Sequence, residues 1–215
     1  MSYGVTLTAP SGEVWVTPDS IPLALYSKQT ITLRGGTNED EFRSVTYDSS
    51  QPMIAFVCFT NGYAKANTTY SGNECRVVFS FGTQQATAEI YFFTVFEQEA
   101  PNYGLAIWDA SGRLILTDKT RTLSDIQSYG QGYDTNVTNS GKWAVSPLAL
   151  GLVVGVVSDP LPRPFQGEYH AYAIYNGSST NIRAMVTQTP SGNISGVTYI
   201  NMRNSVLAID CSRYD

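Results

Sequence analysis

The chain has 215 residues, with 13 Lys and Arg against 18 Asp and Glu, a formal net charge of −5, one His, three Cys and only 14% charged residues. At 42% apolar residues it is excluded from the disordered acidic tails, and its basic residues are scattered singly, without the counterion-releasing stripe of a nucleic-acid binder. A chain of this length buries roughly 70% of its unfolded surface and needs no disulfide or metal staple.

From its start, Met1 to Thr8 has neither a basic nor an extended apolar region, so no signal peptide is expected. Strand signals then dominate: β-branched and aromatic runs punctuated by Gly, Pro, Asn and Ser. They predict strands over 3–9, 13–17, 29–34, 43–48, 53–60, 74–82, 86–97, 103–108, 113–117, 143–146, 148–157, 168–176, 181–188, 194–201 and 205–210. Helical periodicity is almost absent, with one candidate helical turn at Thr122 to Ser128. Ile54 to Phe59 and Ile90 to Phe96 are apolar at successive positions rather than alternating ones, which places them at a sandwich centre or beneath another subunit. Residues 61–74 and 128–142 read as polar loops. The apolar run Leu148 to Val157, between Pro147 and Asp159-Pro160, reads as a buried strand. It is far short of the ~20 residues that span a bilayer, and no membrane insertion is expected. Ser158-Asp159-Pro160-Leu161-Pro162-Arg163-Pro164 reads as a stiff extended connector able to lie against a partner.

An internal repeat organises the chain. Tyr3 to Thr17 aligns without a gap on Tyr103 to Thr117 at an offset of 100, with Tyr, Gly, Ser, Gly and Thr identical. Ala9-Pro10-Ser11-Gly12 and Asp109-Ala110-Ser111-Gly112 suit a type I turn followed by Gly at positive φ, a common hairpin loop. Asp at the first position can bond back to the backbone, and Pro at the second presets φ. A third such turn is Thr189-Pro190-Ser191-Gly192. A period near 100 residues points to domain duplication rather than a solenoid. The expectation is an all-β protein of two β-sandwich-like domains, 1–99 and 100–215, each opening with a similar β-hairpin.

On a strand, His170 shares a face with Glu168, Tyr172 and Ile174; the pair reads as surface-facing and polar rather than as a catalytic dyad. No G-x-S-x-G elbow is present. Among the carboxylates, Glu39, Asp40 and Glu41 form a solvated acidic turn and Asp109 belongs to its hairpin, so no glycosidase pair with Asp118 is expected. The run from Tyr133 to Asn139 opens like a calcium loop but puts Asn139 where Gly is needed. Cys58, Cys75 and Cys211 lack any CxxC spacing and read as three reduced, buried thiols, with a pairing of Cys58 and Cys75 left open. No catalytic, cofactor or metal site is expected, and the chain reads as a non-enzyme. The candidate interaction residues are aromatics in or beside the two polar loops: Tyr63, Tyr70, Tyr129, Tyr133 and Trp143. Their apolar faces and polar tips suit sugar stacking or protein contact.

The segment Asn102 to Thr117, followed by Asp118, resembles a recurring hairpin of tailed-bacteriophage and prophage tail proteins. The shared features are the Tyr103-Gly104-Leu105 opening, the apolar strands and the Asp109-Ala110-Ser111-Gly112 turn; Tyr3 to Thr17 fits with Ala9-Pro10 replacing Asp-Ala. The resemblance implies a non-enzymatic virion structural protein of the tail tip, baseplate or fibre region, assembled in the host cytoplasm. Other tail proteins and further copies of the chain are its implied partners, in a homo-oligomer. The alternative is a receptor- or carbohydrate-binding module that meets a host surface receptor or glycan through the aromatic loops. The low charge agrees with covered surfaces, since interface centres are depleted in charge.

Overall fold

The computed structural model describes residues 7–8, 14–16, 21–35, 40–80, 82, 85–109, 111–158, 160–187 and 190–215, the first two stretches by their backbone. The protein is all-β. In chain order come β1 (Leu7–Thr8), β2 (Val14–Val16), β3 (Ala24–Leu33), β4 (Glu41–Thr46), β5 (Met53–Thr60), β6 (Lys65–Ser71), β7 (Glu74–Ser80), β8 (Ala86–Thr94) and β9 (Ala106–Trp108). Then follow β10 (Leu114–Thr117), β11 (Gln127–Tyr129), β12 (Asn136–Ser140), β13 (Trp143–Val145), β14 (Ala149–Ser158), β15 (Pro162–Tyr175), β16 (Ser179–Val186), β17 (Asn193–Asn201) and β18 (Val206–Asp210). A short 3₁₀ turn, Cys211–Arg213, comes last.

One large sheet runs β11-β18-β13-β5-β15-β14-β17, with β8 on β5, β3 on β8, β16 on β15 and β12 on β16. A second sheet has the order β4-β7-β6, and β1–β2 and β9–β10 are separate hairpins. β5 is the hub. Free of Gly and Pro, it pairs along its whole length with β8. Its other edge meets β13 at Val57 and, in parallel, β15 at Phe59 and Thr60.

Both faces of β5 are buried, as its unbroken apolar run requires. Ala55, Val57 and Phe59 pack with Val77 and Phe79 of the second sheet. Phe56 and Cys58 face Tyr91, Phe93, Ile209 and Tyr214 on the other side. The large sheet then curls, so that Val145, Val206 and Ala208 close on Tyr169, Ala171 and Ile182.

The expected boundary at 99/100 does not divide the sheet. β5 and β8 from one side of it share hydrogen bonds and core with β13, β15 and β18 from the other. The repeat is realised in the hairpins alone. Leu7 pairs with Val16 and Thr8 with Val14; 100 residues on, Ile107 pairs with Leu116 and Trp108 with Leu114, and each hairpin carries a register shift. In the second copy Asp109 Oδ1 accepts from the Ser111 and Arg113 amides, each at 2.9 Å, and Gly112 takes φ +83°. The first copy's turn at 9–12 and part of the turn at 189–192 lie outside the described residues.

Other expectations are corrected. β6 occupies the supposed loop 61–74, and β11 and β12 occupy 128–142. β15 begins inside the supposed connector 158–164, and Leu148 to Val157 is buried at Leu150, Val153 and Val157 but exposed at Val156. Thr122 bridges Ala24 instead of starting a helical turn. The three cysteines are buried and free. Cys58 and Cys75 lie in different core layers: Cys75, on β7 of the second sheet, packs between the two sheets, whereas Cys58 leaves the opposite face of β5. The neighbour of Cys58 is Cys211.

Candidate functional site

β14, the first half of β15 and β17 form a three-stranded ribbon at one end of the large sheet. β14 is its spine: Val156 pairs with Pro164 on one side and Ser195 on the other. β17 pairs with β14 alone among the described strands, and all nine of its residues are exposed. Its sequence, Asn-Ile-Ser-Gly-Val-Thr-Tyr-Ile-Asn, holds no Lys, Arg, His, Asp or Glu. Ile194, Val197, Tyr199 and Ile200 are all exposed apolar side chains, and Met202 extends the patch. A bulge sits at Gly196, whose φ of +60° suits glycine. Phe165 lies across Gly155, where any Cβ would come within 2.7 Å of its ring. This leaves a shallow concavity over Val154 and Val156, between Phe165 and Gly196.

The predicted aromatics do not converge on one site. Tyr133 joins the ribbon: half exposed, it stacks on Tyr199 at 3.7 Å and 9°, with the Tyr169 ring edge-on beneath both at 6.4 Å. Tyr129 and Trp143 form their own edge-to-face pair at 6.4 Å. The Tyr129 hydroxyl accepts from Asn139 at 2.7 Å, and the Trp143 indole donates to the Ser140 carbonyl at 2.9 Å. Tyr63 packs edge-on against Tyr172 at 5.0 Å, next to the core. Tyr70 is exposed on β6, its hydroxyl donating to the Met53 carbonyl at 3.0 Å. Tyr199 and the apolar side chains around it are not among the predicted aromatics, although nine consecutive uncharged residues in a strand are a visible signal.

His170 is not surface-facing. The even positions of β15 at 170–174 point toward the second sheet, and His170 is fully buried there. Its Nε2 lies 3.1 Å from Glu168 Oε2, which also takes Lys65 Nζ at 2.6 Å. Lys65 sits on β6, so the trio ties the two sheets together. Burial lowers the His170 pKa below its ordinary value, and the Glu168 bond only partly offsets this. The Lys65 ammonium holds Glu168 below the usual carboxylate range. With Glu168 ionised, a neutral His170 donates from Nε2. This is a structural link between layers.

A second charged cluster pins the segment after β18. Lys28 and Lys142 each reach Asp215 at 2.7 Å and also contact Glu89. The Tyr91 hydroxyl donates to Asp215 at 2.7 Å. Burial alone would raise the Asp215 carboxyl, but bonds from Lys142, Lys28 and Tyr91 win and hold it at about 2. Among the described residues no group of three or more His, Cys, Asp or Glu is placed to hold a metal ion, and no helix is long and apolar enough to cross a membrane.

No family model matches the chain, and no curated protein and no solved structure matches it.

Proposed function

We propose that the chain is a non-enzymatic structural protein of a bacteriophage tail, assembling with other tail proteins near the host-contact end. The observation that carries the assembly part is the uncharged, exposed strand β17 with apolar side chains on both of its faces. A soluble surface normally intersperses charge, and exposed apolar patches mark interaction sites. The tail assignment rests on the resemblance of the 102–118 hairpin. Its supporting geometry is the Asp109 turn, in which one carboxylate binds two backbone amides and the Arg113 side chain at 2.8 Å. The test is mass spectrometry and antibody labelling of purified virions from the phage or prophage that encodes the chain. Labelled tails are expected; virions that lack the chain would overturn the tail assignment.

The Tyr133–Tyr199 stack favours a second reading, a receptor- or carbohydrate-binding module, because stacked exposed rings offer a platform to a sugar or a protein. Binding to host cells or glycans that falls at least tenfold in Tyr133→Ala would support it. Binding that is absent, or unchanged by the substitution, would remove it.

A further inference from the structure

We infer that the Tyr133–Tyr199 stack and the two polar side chains beside it, Asp134 and Asn201, form a saccharide site that takes a sugar ring by its C–H face and holds two neighbouring hydroxyls on its edge. This deepens the binding-module reading and rests on it. Two turns build the site, and both are anchored on neighbouring strands. Residues 130–135 lead into β12. The Gly130 carbonyl accepts from the Val206 amide at 3.2 Å, and the Thr135 carbonyl accepts from the Ala184 amide at 2.9 Å. Gln131 Nε2 donates to Ser205 Oγ at 3.3 Å. Thr135 is buried between these ties, whereas Tyr133 and Asp134 stand out into solvent. The second turn follows β17. There the Met202 amide donates to the Leu150 carbonyl at 2.9 Å, and Asn204 Nδ2 to the Ala149 carbonyl at 2.8 Å. Groups presented by anchored backbone lose little freedom when a ligand settles on them.

The ring supplies the apolar half of the site. One face of Tyr133 is spent on Tyr199, yet Tyr133 remains 52% exposed. That exposure lies on the other face and the rim, where the π electrons are open to a row of C–H bonds. The polar half lies one residue away. A Cβ built on Gly132 would come within 2.6 Å of Asp134 Oδ1 and 3.9 Å of Asn201 Nδ2. The carboxylate and the amide therefore converge on the place that Gly132 leaves open. Asp134 forms no ion pair among the described residues. Its charge reaches the Tyr169 hydroxyl beneath the stack, whose pKa is raised by burial and then by Asp134. Asn201 Oδ1 accepts from the Arg203 amide at 2.6 Å, so its donor end, Nδ2, is the one that faces Gly132.

Hydrogen-bond chemistry selects the occupant. The Asp134 carboxylate only accepts, and Asn201 Nδ2 only donates. A hydroxyl does both. On one sugar edge, one O–H donates to Asp134 while the neighbouring oxygen accepts from Asn201, and the ring's C–H face covers Tyr133. A Lys or Arg head group would suit Tyr133 and Asp134 through its charge, but it accepts nothing and would leave the Asn201 donor unpaired. A phosphate or carboxylate would suit Asn201 but bring like charge against Asp134. An apolar side chain would satisfy neither polar group. An uncharged ring with a vicinal diol satisfies all three.

The test is a printed array of bacterial surface saccharides probed with the full chain, followed by NMR titration of the saccharide bound best. Dissociation constants of ~10 μM to ~10 mM are expected for so shallow a site. Tyr133→Phe keeps the ring and should bind as the wild type does, whereas Tyr133→Ala should lose at least tenfold. Asn201→Asp keeps the acceptor for the Arg203 amide and removes only the donor; it and Asp134→Asn should each lose at least tenfold. All three positions are exposed, so circular dichroism and melting temperature should not move. Raising NaCl from ~50 to ~500 mM should leave binding intact, because screening weakens charge pairs and not an uncharged ligand. A blank array, binding that ignores Tyr133→Ala or Asn201→Asp, or binding abolished by salt, the mark of a cationic ligand, would each overturn the saccharide site. Host-cell binding that Tyr133→Ala abolishes, beside a blank array, would sink the saccharide and leave the binding module standing. No binding to cells or array would sink both.

Discussion

His170 is the chain's only histidine, so one side chain controls how stability responds between pH 5 and 7. Burial lowers its pKa in the fold, whereas the unfolded chain titrates near the ordinary value of ~6.5. Between those two values the unfolded state binds more protons. Stability is therefore complete above about 6.5 and falls as the pH drops toward the folded value. Urea denaturation at stepped pH should show a slope approaching ~1.4 kcal/mol per pH unit in that window. His170→Gln should flatten the slope, whatever it does to stability at pH 7. A wild type equally stable at pH 7 and pH 5 would contradict the neutral, buried assignment. The shared face of Glu168 and His170 was legible from the alternation of a strand. Burial of that face was not, because the Lys65 that neutralises Glu168 lies on a strand over a hundred residues away.

At the scale of elements, strands rich in β-branched and aromatic residues, such as β5, β8, β14 and β18, declare themselves in sequence. β6 and β12 do not: Lys-Ala-Asn-Thr-Thr-Tyr-Ser and Asn-Val-Thr-Asn-Ser show little apolar contrast, and they become strands because β7 and β16 offer them edges. The start of β15 hid for a different reason. Its prolines suggest a free connector, yet an edge needs no N–H on its outer side. The segment after β18 shows how a short element is held. Asp210 accepts from the Ser212 amide at 2.9 Å, and the turn delivers Tyr214 into the core, edge-on to Phe93 at 4.9 Å. The Tyr214 hydroxyl accepts from the Ser124 amide at 3.2 Å. Tyr214→Ala should cost about 3–5 kcal/mol in urea unfolding, the usual range for removing a large buried ring. Tyr214→Phe keeps the ring but loses two hydrogen bonds, from the Ser124 amide and to the Thr122 carbonyl, at about 0.5–1.5 kcal/mol each. Equal losses in the two variants would mean that the ring contributes nothing to the core.

For the whole molecule, the repeat at offset 100 correctly predicted two matching hairpins and misdirected the partition of the rest. Local pattern marks a strand, but nothing in β5 names β13 and β15, about a hundred residues away, as its neighbours. Those pairings make the two halves interdependent. Residues 1–99 alone would leave Phe56, Tyr91 and Phe93 without Ala144, Ile209 and Tyr214. Residues 100–215 alone would leave the edges of β13 and β15 without β5, and Tyr172 without Phe59. Each large aromatic stripped of its partners forfeits a burial contribution of roughly 1.5–3 kcal/mol, and a net stability of about 5–15 kcal/mol cannot absorb several such losses. Expressed separately, neither fragment should unfold cooperatively, and both should exchange their amides rapidly, whereas the full chain should unfold in a single transition by circular dichroism and fluorescence alike. Two fragments that each melt cooperatively would restore the division at 99/100 and make the shared sheet a docking of independent domains.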